Sequence, residues 1–189
     1  WHEILTWFGV HFVGFEPEFN SAFSWEDTYS NILGTQIGIE AMKTPDLSYD
    51  EAVTKLLNEE LQRLDIQSRE VSLKASEKVK GKWYTGSFIP DTKMRNFDIG
   101  LDDGEVTPVL VPGIEECTGV EPLPIKTPTL DTLNKYGLTL TQRIYPNVFE
   151  QGSIFEAAGS KEIYVKKHYP VIMEYIKNQA EEKGYEYTE

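Results

Sequence analysis

Three serines commit the first half of the chain to helices. Ser24 with Asp27, and Ser48 with Glu51, have the spacing of a capping box, in which a serine takes an orphan backbone N–H and the acid three residues on reaches back. Glu26 and Asp27 also suit the positive end of a helix dipole. The first predicted helix runs from Trp25 to about Met42 and stops before Thr44-Pro45, since a residue preceding proline leaves the helical region. After Ser48, the residues Val53, Leu56, Leu57, Leu61 and Leu64 form an amphipathic stripe. Ser68 opens a third helix, with Val71, Ala75 and Val79 along one side and Gly81 at its end. Upstream of all three, Trp1, Ile4, Leu5 and Phe8 recur at helical spacing and Gly9 fits a helix end. No cap precedes Trp1, so this stretch reads as the last turns of a helix that begins upstream, in a chain truncated at its N-terminus.

The texture then changes. Lys82 to Phe88 reads as an aromatic strand. Met94 to Gly100 and Glu105 to Val111 read as two strands around the turn signal Asp102-Asp103-Gly104, with Pro108 making the second an edge or ending it early. Prolines 112, 122, 124 and 128 mark a surface loop over 112–128. Leu130 to Tyr136 fits a short helix closed by Gly137, and Leu138 to Tyr145 alternates as a strand. Pro170 suits the first turn of a last helix ending near Gly184, with Ile172, Tyr175 and Ile176 on its buried side. The tail from Tyr185 to Glu189 is polar and reads as frayed. Helices, then hairpin strands, then a helix predict an α+β fold. Its helix-rich N-terminal half would pack on a small antiparallel hairpin sheet, with a C-terminal helix, in one domain over 1–189.

Composition narrows the function. A chain of 189 residues with 40% apolar and 26% charged side chains can bury a core, which excludes disorder and a coiled coil. Its net charge of −13 repels phosphate backbones and anionic membranes, so no nucleic-acid partner is expected. No apolar run approaches the roughly 20 residues of a transmembrane helix. Cys117 is the sole cysteine, which excludes an internal disulfide and a cysteine zinc cluster.

Few residues carry a chemical signal. His2-Glu3 is not a helical zinc motif, because position 6 is Thr rather than His, and His2 reads as a solvent-side residue. His11 and His168 are isolated. Glu3 flanks Trp7 at i+4 and is a candidate. In the helix from Trp25, the stripe Trp25, Ile32 and Ile39 lies opposite Asp27, Ser30, Asn31, Gly34, Gly38 and Ala41, so both sides look buried and the helix should be central. Glu26 points away from Asp27. Alternation places Arg95, Phe97 and Ile99 on one strand face, and Asn96 and Asp98 on the other. Asp102-Asp103-Gly104 lacks the ligand series of a calcium loop.

Two stretches carry a resemblance. Phe23-Ser24-Trp25-Glu26-Asp27-Thr28-Tyr29-Ser30-Asn31-Ile32-Leu33-Gly34 and Phe97-Asp98-Ile99-Gly100-Leu101-Asp102-Asp103-Gly104, the latter followed by Pro108, Val111, Pro112 and Gly113, resemble signatures of the bacterial family of domains of unknown function numbered 4056. The segment around Glu3 and Trp7 fits what precedes the first signature. Positions fitting the pattern are Glu3, Trp7, Ser24, Glu26, Asp27, Tyr29, Asn31, Gly34, Asp98, Gly100, Asp102, Gly104 and Pro108. The resemblance implies an exported, lipid-anchored protein of the bacterial envelope or periplasm, with further polar residues upstream, including His. It supplies no activity.

Three readings stay open. One is a hydrolase-like enzyme whose site joins Glu3, Glu26, Asp27, Asn31, Arg95 and Asp98, with one carboxylate as general base or ligand to a divalent metal, Arg95 holding an anionic or carbonyl group, and upstream residues completing it. If Glu3, Asp27 and Asp98 share a centre, Arg95 or a metal must reach at least two of them. The second is a non-catalytic binding module, its aromatic 10–23 loop stacking on a glycan, a peptide or an envelope protein. The third is a structural accessory.

Overall fold

The computed structural model describes residues 1–9, 18–88, 91–127 and 143–188. His11, the first part of the aromatic loop, the predicted helix Leu130–Tyr136 and most of the predicted strand Leu138–Tyr145 lie outside the described residues.

Serine caps open two of the described helices. α1 (His2–Trp7) obeys the apolar stripe, burying Ile4 and Trp7 and also Glu3. α2 (Asp27–Met42) begins two residues after Trp25, because its box is half made. Asp27 Oδ2 accepts from the Ser24 N–H at 3.1 Å, but the Ser24 hydroxyl donates to Glu26 instead of capping the turn. α3 (Tyr49–Arg63) has the full box: the Ser48 hydroxyl accepts from the Glu51 N–H at 3.4 Å, and Glu51 Oε2 accepts from the Ser48 N–H at 3.0 Å. α4 (Arg69–Val79) is opened by the Ser68 hydroxyl, which accepts from the Val71 N–H at 3.3 Å. None of the described helices is long and apolar enough to cross a membrane.

Short strands follow. β1 (Met94–Asn96) and β2 (Glu105–Val106) flank the Asp102-Asp103-Gly104 turn, but they do not pair with each other as expected. β2 pairs antiparallel with β3 (Ile125–Lys126), Val106 opposite Ile125. β4 (Arg143–Ile144) pairs antiparallel with β5 (Ile163–Tyr164). Between those two strands lies α5 (Gln151–Ala158), which the sequence reading missed. α6 (Val165–Lys183) starts a full turn before Pro170 and ends at Gly184, whose φ of +74° suits a residue without a side chain. The tail is not frayed: β6 (Glu186–Thr188) pairs parallel with β1, Arg95 opposite Tyr187. The segment Lys82–Phe88 is not a strand. Tyr84 makes isolated bridges to Lys80 and Thr92, and turns occupy the residues beside it.

The predicted central helix is also corrected. A side chain at Gly34 would meet open space, Gly38 faces only the Tyr49 hydroxyl, and Ile39 is 42% exposed. α2 packs against α3 and β3, while Ser30, Gly34, Thr35 and Ile39 stay exposed. The core forms elsewhere, where Ile4 and Trp7 of α1, Phe19, Phe23, Phe97, Ile154 of α5, and Ile172 and Ile176 of α6 pack together. A smaller cluster of Tyr29, Val106 and Ile125 sits under α2. The fold is α+β, with three two-stranded sheets among the described residues.

Candidate functional site

Glu3 is the most buried carboxylate among the described residues. It is 6% exposed, because the stripe that buries Ile4 and Trp7 carries their neighbour inward. Its two oxygens are held from different elements. Oε2 accepts from the Phe23 N–H at 2.9 Å, and Oε1 accepts from the Asn31 side-chain amide of α2 at 2.8 Å. Phe23 is fully buried with φ +55°, a conformation that costs a bulky residue about 1–3 kcal/mol unless its surroundings impose it. The surroundings do so from both sides, since the Phe23 carbonyl also accepts from the Asn96 N–H at 2.8 Å.

Burial pushes the Glu3 carboxyl above the ordinary carboxylate range. The Phe23 N–H opposes this, and the charge of nearby Asp27 adds to it. Glu3 and Asn31 line a cavity of about 240 Å³, together with Thr28 and Ile32 of α2, Phe23, Ile99, Leu101, Thr127, Tyr169 of α6, and Trp1, His2 and Ile4. Trp1 stacks on Tyr169 with ring centres 5.8 Å apart, and burial pushes the Tyr169 phenol up. Thr28 is 8% exposed, and its hydroxyl has no hydrogen-bond partner among the described residues. A buried hydroxyl without a partner is costly and is a place where a bound group would be repaid.

The other candidates divide by position. Asp27 is tied to the Ser24 N–H, close enough for its charge to act on both Glu3 and Arg95. Glu26 is exposed and accepts from the Ser24 hydroxyl. His2 is exposed at the cavity rim, as its solvent-side reading expects. Arg95 does not line the cavity. It is fully buried in the core, donates to the carbonyls of Phe19 and Ala22, and lies over the rings of Tyr185, Phe19 and Trp7 at 4.4, 4.9 and 5.1 Å. Asp98 folds its own turn. Oδ1 accepts from the Gly100 N–H at 3.0 Å and Oδ2 from the Thr107 N–H at 2.8 Å, replacing the ladder that β1 and β2 do not form. Gly100 has φ +66°, and a Cβ there would lie 2.7 Å from Thr127. This tight turn delivers Ile99 and Leu101 to the cavity.

Thr28, Thr127 and Tyr169 escaped sequence reasoning. Thr28 lies inside the first signature stretch, which is the signal that could have found it. Thr127 and Tyr169 come from distant segments without a motif. Among the described residues, no group of three or more His, Cys, Asp or Glu side chains is placed to hold a metal ion. A wider groove of about 500 Å³ between α2, α3 and β3 is less specific, since Arg63 and Glu60 on its wall already pair at 2.5 Å.

A family model described as a protein of unknown function (DUF4056) matches residues 1–105. No curated protein and no solved structure matches the chain. The matched half supplies α1, the Phe23–Gly34 stretch and the Asp98 turn, hence every cavity residue except Thr127 and Tyr169.

Proposed function

The chain belongs to the DUF4056 family, and because three separated stretches of its matched half close around one cavity, we propose that this cavity is a site for a small ligand. The observation that carries the proposal is the convergence of Glu3, Thr28 and Asn31 on one apolar-walled space. Specific small-molecule sites combine such walls with a few placed polar groups, typically in cavities of about 300–1,000 Å³ for drug-sized ligands. A cavity of about 240 Å³ calls for something smaller. Each Glu3 oxygen uses one lone pair on a protein donor and keeps another for a ligand.

The test is a set of small aromatic amines, alcohols and amides observed by NMR against the wild type and Leu101→Trp. Leu101 is 47% exposed on the cavity wall, so an indole there obstructs the space without entering the core. Bound fragments should lose at least about tenfold in affinity, about 1.4 kcal/mol, while the thermal melt stays unchanged. No bound fragment, or equal binding to both proteins, overturns the proposal.

A second reading, a hydrolase-like reaction with Glu3 as general base, is favoured by the burial that holds its carboxyl above the ordinary carboxylate range. It expects hydrolysis of p-nitrophenyl acetate to fall about 10²-fold in Glu3→Gln. An unchanged rate rejects it.

A further inference from the structure

We propose that the ligand of this cavity is a small primary ammonium on an apolar body, recognised by Glu3 and Thr28. The inference rests on the reading of the cavity as a ligand site and adds the chemical class.

Its polar end offers acceptors. Glu3 contributes the unused lone pairs of a buried carboxylate, and Thr28 an unpartnered hydroxyl oxygen. The donors already aimed at Glu3, the Phe23 N–H and the Asn31 amide, are neutral and leave its charge uncompensated. The nearby charge of Asp27 adds to the cost of its ionised form. A buried carboxylate with the charge of a second acid nearby is costly without a cation, so a ligand that brings one gains more than a neutral ligand of the same shape. Ile4, Phe23, Ile32, Ile99 and Leu101 demand an apolar body. The net charge of −13 draws cations from a distance and disfavours anions.

Benzylammonium and benzyl alcohol are the probes, since they share a ring and arm and differ in the charged head. Affinities are measured by calorimetry for the wild type, Glu3→Gln and Thr28→Val, each with a melt to verify folding. Benzylammonium should bind the wild type at least about tenfold more tightly than benzyl alcohol. Glu3→Gln should abolish that preference, bringing the two probes to within about twofold of each other. Thr28→Val should weaken benzylammonium by about threefold to tenfold, the worth of one hydrogen bond. If Glu3→Gln does not fold, Thr28→Val and the comparison of the two probes decide. Equal affinity of both probes, or undiminished ammonium binding in the variants, overturns the ammonium class and leaves the ligand site standing. Binding of neither probe to the wild type overturns the ammonium class, and the fragment set then judges the site separately.

Discussion

Replacing Arg95 with alanine should destabilise the fold by about 3–5 kcal/mol, read as a lower urea midpoint with little change in slope. Arg95 is fully buried and holds the 19–23 segment, donating from Nη1 to the Phe19 carbonyl at 3.1 Å and to the Ala22 carbonyl. Its Nη2 lies 3.8 Å from Asp91, and three aromatic rings surround its guanidinium. Truncation would strip two buried carbonyls of a charged donor and leave a void the size of the side chain. Each cost is about 1–3 kcal/mol or more. Arg95→Met separates them, because methionine fills much of the space and donates no hydrogen bond. It should recover part of the loss and leave the carbonyl penalty. A full recovery would mean the guanidinium is held only by packing, and a loss below about 1 kcal/mol in Arg95→Ala would reject its anchoring role. The effect should also reach the cavity, since the anchored segment carries the Phe23 N–H that orients Glu3.

Arg95 also shows where a sequence misleads. A basic residue beside Asn96 and Asp98 invites a ligand-binding role, yet all of Arg95, Asn96 and Phe97 are buried. The reason is the parallel pairing of β1 with β6, whose Thr188 lies opposite Asn96 at the far end of the chain. Pairing across such a separation depends on tertiary packing, which no local pattern reports. Capping is different: serine side chains act within a single turn, so the starts of α3 and α4 were legible from Ser48 and Ser68. The small residues of α2 were legible but misinterpreted, since Gly34 permits a close neighbour without supplying one.

The candidate site follows the same division. Glu3 and Asn31 stood out as polar residues on helices with apolar stripes, and the fold joins them by one hydrogen bond. Asp98 stood out through strand alternation, on the polar face with Asn96, but turns its oxygens to backbone N–H groups of its own loop. Thr28 carried no signal beyond its neighbours. Its unpartnered hydroxyl becomes informative only once burial removes water from it.

Trp7→Ala should cost about 3–5 kcal/mol, the usual loss for truncating a large buried aromatic residue. Trp7 is 2% exposed, and it ties α1 to α6 through an Nε1–H bond to Gln179 at 2.9 Å. Its ring meets Phe19, Phe23 and Phe97 edge-on, with centres 4.7, 6.2 and 5.9 Å away, contacts that add about 0.5–1.5 kcal/mol per pair beyond area alone. For a chain of this size each kcal/mol lowers the melting temperature by about 2–4 °C, so the midpoint should fall by about 6–20 °C. Trp7→Phe should keep most of the ring contacts and lose the bond to Gln179, for a smaller drop. A melt of Trp7→Ala within about 1 kcal/mol of wild type would show that α1 is not anchored by this residue. Because the Arg95 guanidinium lies over the Trp7 ring, the two truncations should not be additive. The double variant should lose less than the sum by about 0.5–3 kcal/mol, as expected for residues in direct contact. Strict additivity would mean that α1 and the 19–23 segment are held independently, and that Glu3 reaches Phe23 without their shared support.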